Sequence, residues 1–139
     1  MGFKHFTMAL LASILTAPCS TAPTLDGEIM YLCHCGQDSK YSLMVYYKDY
    51  TKSQSGQQPD AISGHGSGWL QWEGIAWTGT FADGNTFTSS INKDAGGFPA
   101  LSEAGSGVNK YRGFRCYKDT GRLLFVDSGA NCVTNYYCN

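Results

Sequence analysis

The sequence predicts an α+β domain in which one helix precedes a twisted antiparallel sheet. Residues 69–77 alternate between the two sides of an extended strand, and Asp83-Gly84 soon after them is a tight hairpin signal. A second turn signal, Asp119-Thr120-Gly121, lies between two further strand-like runs. Residues 41–50 have apolar side chains at helical spacing, and a helix there together with the strands gives the α+β class.

The helical segment has two interpretations on its residues alone. Asp38 or Ser39 is a suitable N-cap for a helix. Helical periodicity is present at Leu43, Met44, Tyr47 and Tyr50. Strand alternation is equally present at Tyr41, Leu43, Val45 and Tyr47. Both interpretations therefore stay open at this point.

The remaining elements are predicted as strands. A polar, glycine-rich stretch over residues 53–68 separates them from the helical segment. The predicted strands cover 69–77, 86–91, 111–117 and 123–126, with a loop through Gly96, Gly97 and Pro99. Gly121 can adopt the left-handed conformation that a hairpin between the last two strands requires.

The first 22 residues have the pattern of a secretory signal peptide. Lys4 and His5 form a short basic region, and an uncharged apolar run from Phe6 to Leu15 precedes small residues. This run is too short for a transmembrane helix, which needs about 20 apolar residues. We therefore expect cleavage between residues 17 and 22, and one secreted domain over residues 23–139 that contacts no membrane.

The charge balance does not indicate nucleic-acid binding by the protein as a whole. The chain has 10 basic and 11 acidic residues, and loss of Lys4 with the signal leaves nine against 11, a net charge of −2. DNA is therefore not an expected partner. Five of the basic residues nevertheless lie close together, at Lys110, Arg112, Arg115, Lys118 and Arg122. This run is either a solvated hairpin or a local anion-binding surface.

Three groups of residues are candidate sites. Cys33-His34-Cys35 offers zinc ligands, but cysteines in a secreted chain are more typical of disulfides, so no metal is expected. His65 lies among glycines and is either an exposed loop imidazole or an acid/base group. Glu73, between Trp72 and Gly74, must face water or find a partner. Together with an arginine, such groups can bind phosphate and transfer protons.

The order and spacing of several motifs resemble one family, the small fungal guanyl-specific ribonucleases and their diverged effector relatives in plant-pathogenic fungi. Tyr31-Leu32-Cys33 resembles the amino-terminal Tyr-x-Cys of that family. His65 followed by Trp72-Glu73-Gly74 is similar to the catalytic-strand histidine and the aromatic-Glu-Gly segment, with a gap two residues longer. Phe98-Pro99-Ala100-Leu101 resembles an aromatic-Pro-x-Leu element. The resemblance implies that residues 38–53 form the family's one long helix.

The carboxy-terminal block carries the rest of this resemblance. Arg112 precedes Cys138 by 26 residues, the separation found in the family. The resemblance implies that Arg112 binds phosphate, that His65 supports it, and that Glu73 reads the guanine edge. Trp72 would add a stacking surface or belong to the core.

The same resemblance implies that both proton-transfer groups are missing. Gly97 occupies the position of the general base, and Asp127 that of the general acid. Glycine accepts no proton, and an aspartate is an anion at neutral pH. Each lost step is worth about 10²- to 10⁴-fold in rate. Recruitment of Asp94, or of His65 as base, is the remaining route to catalysis.

We therefore expect a secreted fungal effector-type protein that is not an enzyme and binds a host RNA or protein. Its binding residues would be His65, Glu73, Arg112 and Trp72. A monomer without a cofactor is expected, and delivery into host cells stays open. One alternative is an active guanyl-preferring ribonuclease or ribotoxin-like enzyme. Another is a disulfide-stapled, toxin-like module unrelated to RNA.

The resemblance also implies one disulfide, between Cys33 and Cys138, which would tie the two ends of the domain together. Cys116 and Cys132 flank the terminal hairpin and are candidates to bridge across it. Cys35 would then pair with Cys19, if signal cleavage spares Cys19, or stay free.

Overall fold

The computed structural model of the protein describes Pro23 and residues 25–139. The predicted signal segment, including Cys19, lies outside the described residues. The strands are β1 (Ile29–Cys35), β2 (Tyr41–Tyr47), β3 (Ala61–Ser63), β4 (Ala76–Thr80), β5 (Thr86–Ile91), β6 (Glu103–Val108), β7 (Gly113–Lys118), β8 (Leu123–Asp127) and β9 (Ala130–Cys138). Two short 3₁₀ helices cover Tyr50–Gln54 and Ala95–Gly97.

The strands join one antiparallel sheet with the order β3-β2-β1-β9-β7-β6-β5-β4, and β8 pairs with β9 beside that path. β9 is the branching strand. It pairs with β1 along one edge, and with β8 and then β7 along the other. The α+β prediction is therefore wrong, since the part of the chain that the structure describes contains no α-helix.

The segment predicted as a helix over residues 38–53 is strand β2 followed by a 3₁₀ turn. β2 lies between β1 and β3 and is buried on both faces. Leu43 and Val45 pack into one core, whereas Met44 packs into the other. A strand that is covered on both faces is apolar almost without interruption, so its residues also satisfy a helical spacing.

The other strand predictions are confirmed in part. Asp83-Gly84 lies in the turn between β4 and β5, and β5 covers the predicted residues 86–91. The strand predicted over 69–77 is wrong at its start, because β4 begins at Ala76. β7 and β8 lie where the last two strands were predicted, but they pair with β9 and not with each other.

Two hydrophobic cores lie on opposite faces of the sheet. The inner core draws on strands around the whole sheet and includes Met30, Met44, Phe87, Phe114 and Tyr136. The outer core covers β1, β2 and β9 and includes Leu124 and Phe125 of β8. Successive residues of β1 alternate between the two cores, as the strand period of two requires.

The sheet curls until its edge strands, β3 and β4, approach each other. A Cβ atom added to Gly79 would lie 2.9 Å from Ser63 Oγ and 2.7 Å from Met44 Sδ, so a glycine permits this approach. Despite their proximity, β3 and β4 form no ladder in the described residues. We call the gap between these two strands the seam.

The backbone of β4 presents unpaired groups to the seam. At the hairpin that follows β4, the Phe81 N–H donates to the Asn85 carbonyl over 2.8 Å. Hydrogen-bonded and non-bonded pairs alternate along an antiparallel ladder. The amides of Trp77 and Gly79 therefore face β5, whereas those of Thr78 and Thr80 face the seam.

The disulfides differ from the predicted ones. Cys35 bonds to Cys132 and Cys116 bonds to Cys138, while Cys33 is buried and forms no disulfide within residues 25–139. The predicted pairs Cys33–Cys138 and Cys116–Cys132 are therefore wrong. Strand register is the reason, because each bonded pair consists of residues directly opposite each other on neighbouring strands. Both disulfides attach β9 to a neighbour, one to β1 and the other to β7.

We predict that the two disulfides contribute unequally to stability. The Cys35–Cys132 bond spans 97 residues and the Cys116–Cys138 bond spans 22. The chain-entropy model gives about 4.7 and about 3.4 kcal/mol for such loops, as upper figures. Urea unfolding of the two double-alanine variants should show the larger loss of unfolding free energy for the Cys35–Cys132 pair. The reverse order would contradict this account.

We predict that Gly107→Ala destabilises the sheet by overpacking the inner core. A Cβ atom at Gly107 would lie 2.2 Å from Phe87 Cζ, inside the ring's van der Waals envelope. The expected loss of unfolding free energy is about 1–3 kcal/mol. Gly113→Ala is the matched control, since its Cβ would meet no atom closer than 4.0 Å. Equal effects of the two substitutions would refute the packing described for β6.

Candidate functional site

A groove opens along the seam, between the end of β3 with its following loop and strand β4. We call it the seam groove, and its volume is about 710 Å³. Its floor is apolar and consists of Met44, Leu70, Trp72 and Trp77. Hydroxyl side chains make up most of the remaining wall, from Ser42, Ser63, Ser67, Thr78 and Thr80. His65 is the one titratable side chain among the lining residues that the structure describes.

His65 is held by a buried carboxylate. Its Nε2 atom lies 3.0 and 3.1 Å from the two carboxylate oxygens of Asp127. The hydroxyl of Tyr41 donates to Asp127 Oδ2 over 2.7 Å. The His65 side chain is 58% exposed, whereas that of Asp127 is 10% exposed. The neutral imidazole that donates from Nε2 to Asp127 leaves Nδ1 as its acceptor.

Trp72 lines the groove but is almost fully buried, with 1% of its surface exposed. Its ring stacks on His34, with centroids 6.0 Å apart and planes at 15°. His34 in turn packs against the exposed ring of Trp69, with centroids 5.4 Å apart. The indole Nε1 of Trp72 has no hydrogen-bond acceptor among the described residues. An unpaired buried donor is costly, so this N–H lowers the stability of the fold.

A serine holds the loop that carries Trp72 against β2. Ser42 Oγ accepts from the Leu70 amide over 2.8 Å, and the Ser42 amide donates to the Gly68 carbonyl over 3.0 Å. His34 Nε2 lies 3.0 Å from the Leu70 carbonyl. These contacts fix the loop of residues 64–75 as one wall of the seam groove.

Glu73 lies outside the groove lining. One of its carboxylate oxygens accepts a short hydrogen bond from the hydroxyl of Tyr136. Burial raises the pKa of Tyr136, and the bond to Glu73 raises it further, so the phenol stays a donor. Gly97, the predicted position of the missing general base, lies in the second 3₁₀ helix and is exposed.

Arg112 is engaged within the chain. Its Nε atom donates to Glu28 Oε1 over 2.8 Å, and its guanidinium lies 3.6 Å from the ring centroid of Phe114. The second oxygen of Glu28 accepts from the hydroxyl of Tyr46 over 2.9 Å. An arginine whose charge is balanced in this way is a weak phosphate ligand.

The basic run between residues 110 and 122 is engaged within the chain at three of its five cations. Lys118 donates to the Gly96 carbonyl over 3.2 Å. Arg122 donates to the Ser53 carbonyl and to the hydroxyl of Tyr31. Arg112 forms the ion pair with Glu28, whereas Lys110 and Arg115 are exposed and form no ion pair with a described carboxylate.

The predicted site residues therefore fall into separate hydrogen-bonded clusters. His65 and Trp72 share the seam groove, whereas Glu73 pairs with Tyr136 and Arg112 with Glu28. Asp127, expected only as a degenerate position, is the direct partner of His65. The groove residues Thr78, Gly79 and Thr80 of β4 were missed, because only sheet curling brings Gly79 to Ser63 and no local motif marks this contact.

Within the described residues, no cluster of histidine, cysteine, aspartate or glutamate has the composition of a metal site. The same part of the chain has no helix long and apolar enough to cross a membrane. In comparisons with known proteins, no family model, no curated protein and no solved structure matches the chain. The resemblance to fungal ribonucleases therefore stays a prediction, and the long helix that it implies is absent.

We predict that alkaline pH destabilises the fold through two partly buried tyrosines, Tyr41 and Tyr46. Burial first, and then the neighbouring carboxylate, raise the pKa of Tyr41 and of Tyr46 to about 12 from 10.0. The contribution of these two phenols to the free energy of unfolding is complete below pH 10.0. It is lost as the pH rises toward about 12, since the tyrosines of the unfolded chain ionise first. Phenolate absorbance should therefore rise together with unfolding. Reversible ionisation of all tyrosines near pH 10.0 in a folded protein would contradict it.

Proposed function

We propose that this chain is a secreted, non-catalytic binding protein, and that the seam groove binds a partner protein. The observation that carries this proposal is the groove itself, an open cleft of about 710 Å³ with an apolar floor and a hydroxyl wall. Protein interfaces are depleted of charged side chains at their centre and enriched in tryptophan. The groove has both properties.

Exposed apolar side chains extend this surface beyond the groove. Trp69 is 52% exposed and Ile75 is 47% exposed, and both lie in the loop of residues 64–75 that walls the groove. The seam-facing amides of Thr78 and Thr80 offer donors to a partner's carbonyl groups. A partner that brings an apolar side chain and backbone carbonyls would satisfy both requirements.

An RNA partner is less well supported than a protein partner. RNA binding draws on free cations that contact phosphates. Arg112 is paired with Glu28, and Arg122 is bonded to Ser53 and Tyr31. His65 faces the carboxylate of Asp127, whose negative charge opposes a phosphate.

Binding is also better supported than catalysis. The His65–Asp127 pair has the arrangement of an oriented base. No serine or threonine hydroxyl in the described residues hydrogen bonds to His65, so the pair activates no nucleophile of the protein. Cleavage through a hydroxyl of the substrate would also need a second proton-transfer group, but His65 is the one titratable side chain among the described residues that line the groove.

We predict that a charge placed on the groove wall weakens partner binding. The probe is a phage-displayed library of linear peptides selected on the mature protein. Ser67→Arg puts a cation on the exposed groove wall, and Ser106→Arg puts the same side chain on the exposed surface of β6, away from the groove. Selected peptides should bind Ser67→Arg at least about tenfold more weakly, a loss of about 1.4 kcal/mol, and Ser106→Arg unchanged.

Three outcomes would overturn the proposal. One is enrichment of no peptide above a blank surface, and another is equal binding of selected peptides to both arginine variants. The third is cleavage of guanosine-containing RNA to cyclic-phosphate ends by pure protein, with activity lost in His65→Ala. That result would establish an enzyme in place of a binding protein.

A further inference from the structure

A second pocket lies further along the seam, beyond the contact between Ser63 and Gly79. We call it the mouth pocket, and its volume is about 190 Å³. Ala61 of β3 and Phe81 after β4 flank this pocket. Ala61 precedes Ser63 by two residues and Phe81 follows Gly79 by two, so the two pairs lie at successive positions along antiparallel edges. No sequence motif marked this pocket, because its walls come from distant parts of the chain.

Four aromatic rings, among eleven lining residues, form part of the pocket wall. They belong to Tyr46, Phe81, Phe87 and Tyr111. Phe81 and Phe87 are buried and fixed by the inner core, whereas Tyr111 is 71% exposed at the rim. The face of such a ring carries negative charge density and attracts cations. Lys110 already shows this attraction, since its ammonium lies 4.9 Å from the Tyr111 ring centroid.

Two carboxylates complete the pocket, and one of them forms no ion pair with a described residue. Glu28 is paired with Arg112 and accepts from Tyr46. Asp83 accepts from the backbone and side-chain N–H groups of Asn85, and these bonds lower the pKa of its carboxyl group. No lysine, arginine or histidine of the described residues lies within salt-bridge distance of Asp83. Asp83 therefore adds a fixed negative charge at the rim.

We propose that the mouth pocket binds an alkylammonium group, held between the aromatic rings and Asp83. Aromatic walls with one free carboxylate favour a cation with an apolar surface over an anion or a neutral ligand of the same size. A methylated ammonium is weakly hydrated, so it loses little hydration free energy when it enters the pocket and contacts the rings. The other charges nearby are Lys110, which acts on Asp83, and Arg112 and Asp60, which act on Tyr46.

The test is a nuclear magnetic resonance titration of the folded protein with choline. Its neutral isostere, 3,3-dimethylbutan-1-ol, is the matched control ligand. Choline should shift the amides of Asn85, Thr86 and Asn109, and the isostere should bind at least about threefold more weakly. A short peptide with trimethyllysine is titrated in parallel. Comparison of the two titrations shows whether the pocket prefers a free small ligand or the methylated side chain of a protein.

Charge variants test the direction in which each charge changes choline affinity. Asp83→Asn keeps an acceptor in the turn and should weaken choline binding by about threefold or more. Lys110→Gln removes a competing ammonium beside Tyr111 and should strengthen binding. Asp94→Asn, at an exposed acid that does not line the pocket, should leave it unchanged. Equal binding of choline and its isostere, indifference to Asp83→Asn, or no shifts at these amides would each overturn the proposal.

Discussion

The pairing of β9 with three other strands is the constraint on which the rest of the structure depends. Its residues pair with β1 along one edge and with β8 and β7 along the other, so a single strand joins both halves of the sheet. Both disulfides reinforce this junction, through Cys132 to β1 and through Cys138 to β7. The ends of the domain are thus fastened by a ladder and two cross-strand bonds, which leaves the opposite side of the sheet to carry the open edges.

The functional surfaces follow from how that sheet curls. Gly79 brings β4 against Ser63 without forming a ladder, so the seam keeps unpaired backbone groups and two openings. Edge strands with unpaired groups are usually protected by charge, proline or a bulge. β4 has none of these protections, since its sequence is Ala-Trp-Thr-Gly-Thr. An unprotected edge beside an apolar groove supports a binding role for this side of the molecule.

The sequence predicted local turns and several strands, but it did not predict the closure of the sheet. The Asp83-Gly84 turn and β5 depend on neighbouring residues and were found where expected. The residues of β2 satisfied helical spacing and strand alternation equally, because the strand is buried on both faces, and the family resemblance then favoured the helix. Register across β9 decides the disulfides, and curling decides which residues share the groove. The spacing of residues along the chain reveals neither the strand register nor the curling of the sheet. His65 and Asp127, which are 62 residues apart, could therefore not be paired from the sequence.

The open seam is the central claim, and amide hydrogen exchange along β4 tests it most directly. The Trp77 and Gly79 amides are bonded to β5, whereas those of Thr78 and Thr80 face the seam. In the free protein, the Trp77 and Gly79 amides should exchange far more slowly than those of Thr78 and Thr80. Equal protection of all four amides would mean that β3 and β4 are hydrogen bonded, and it would contradict this account of the binding surface.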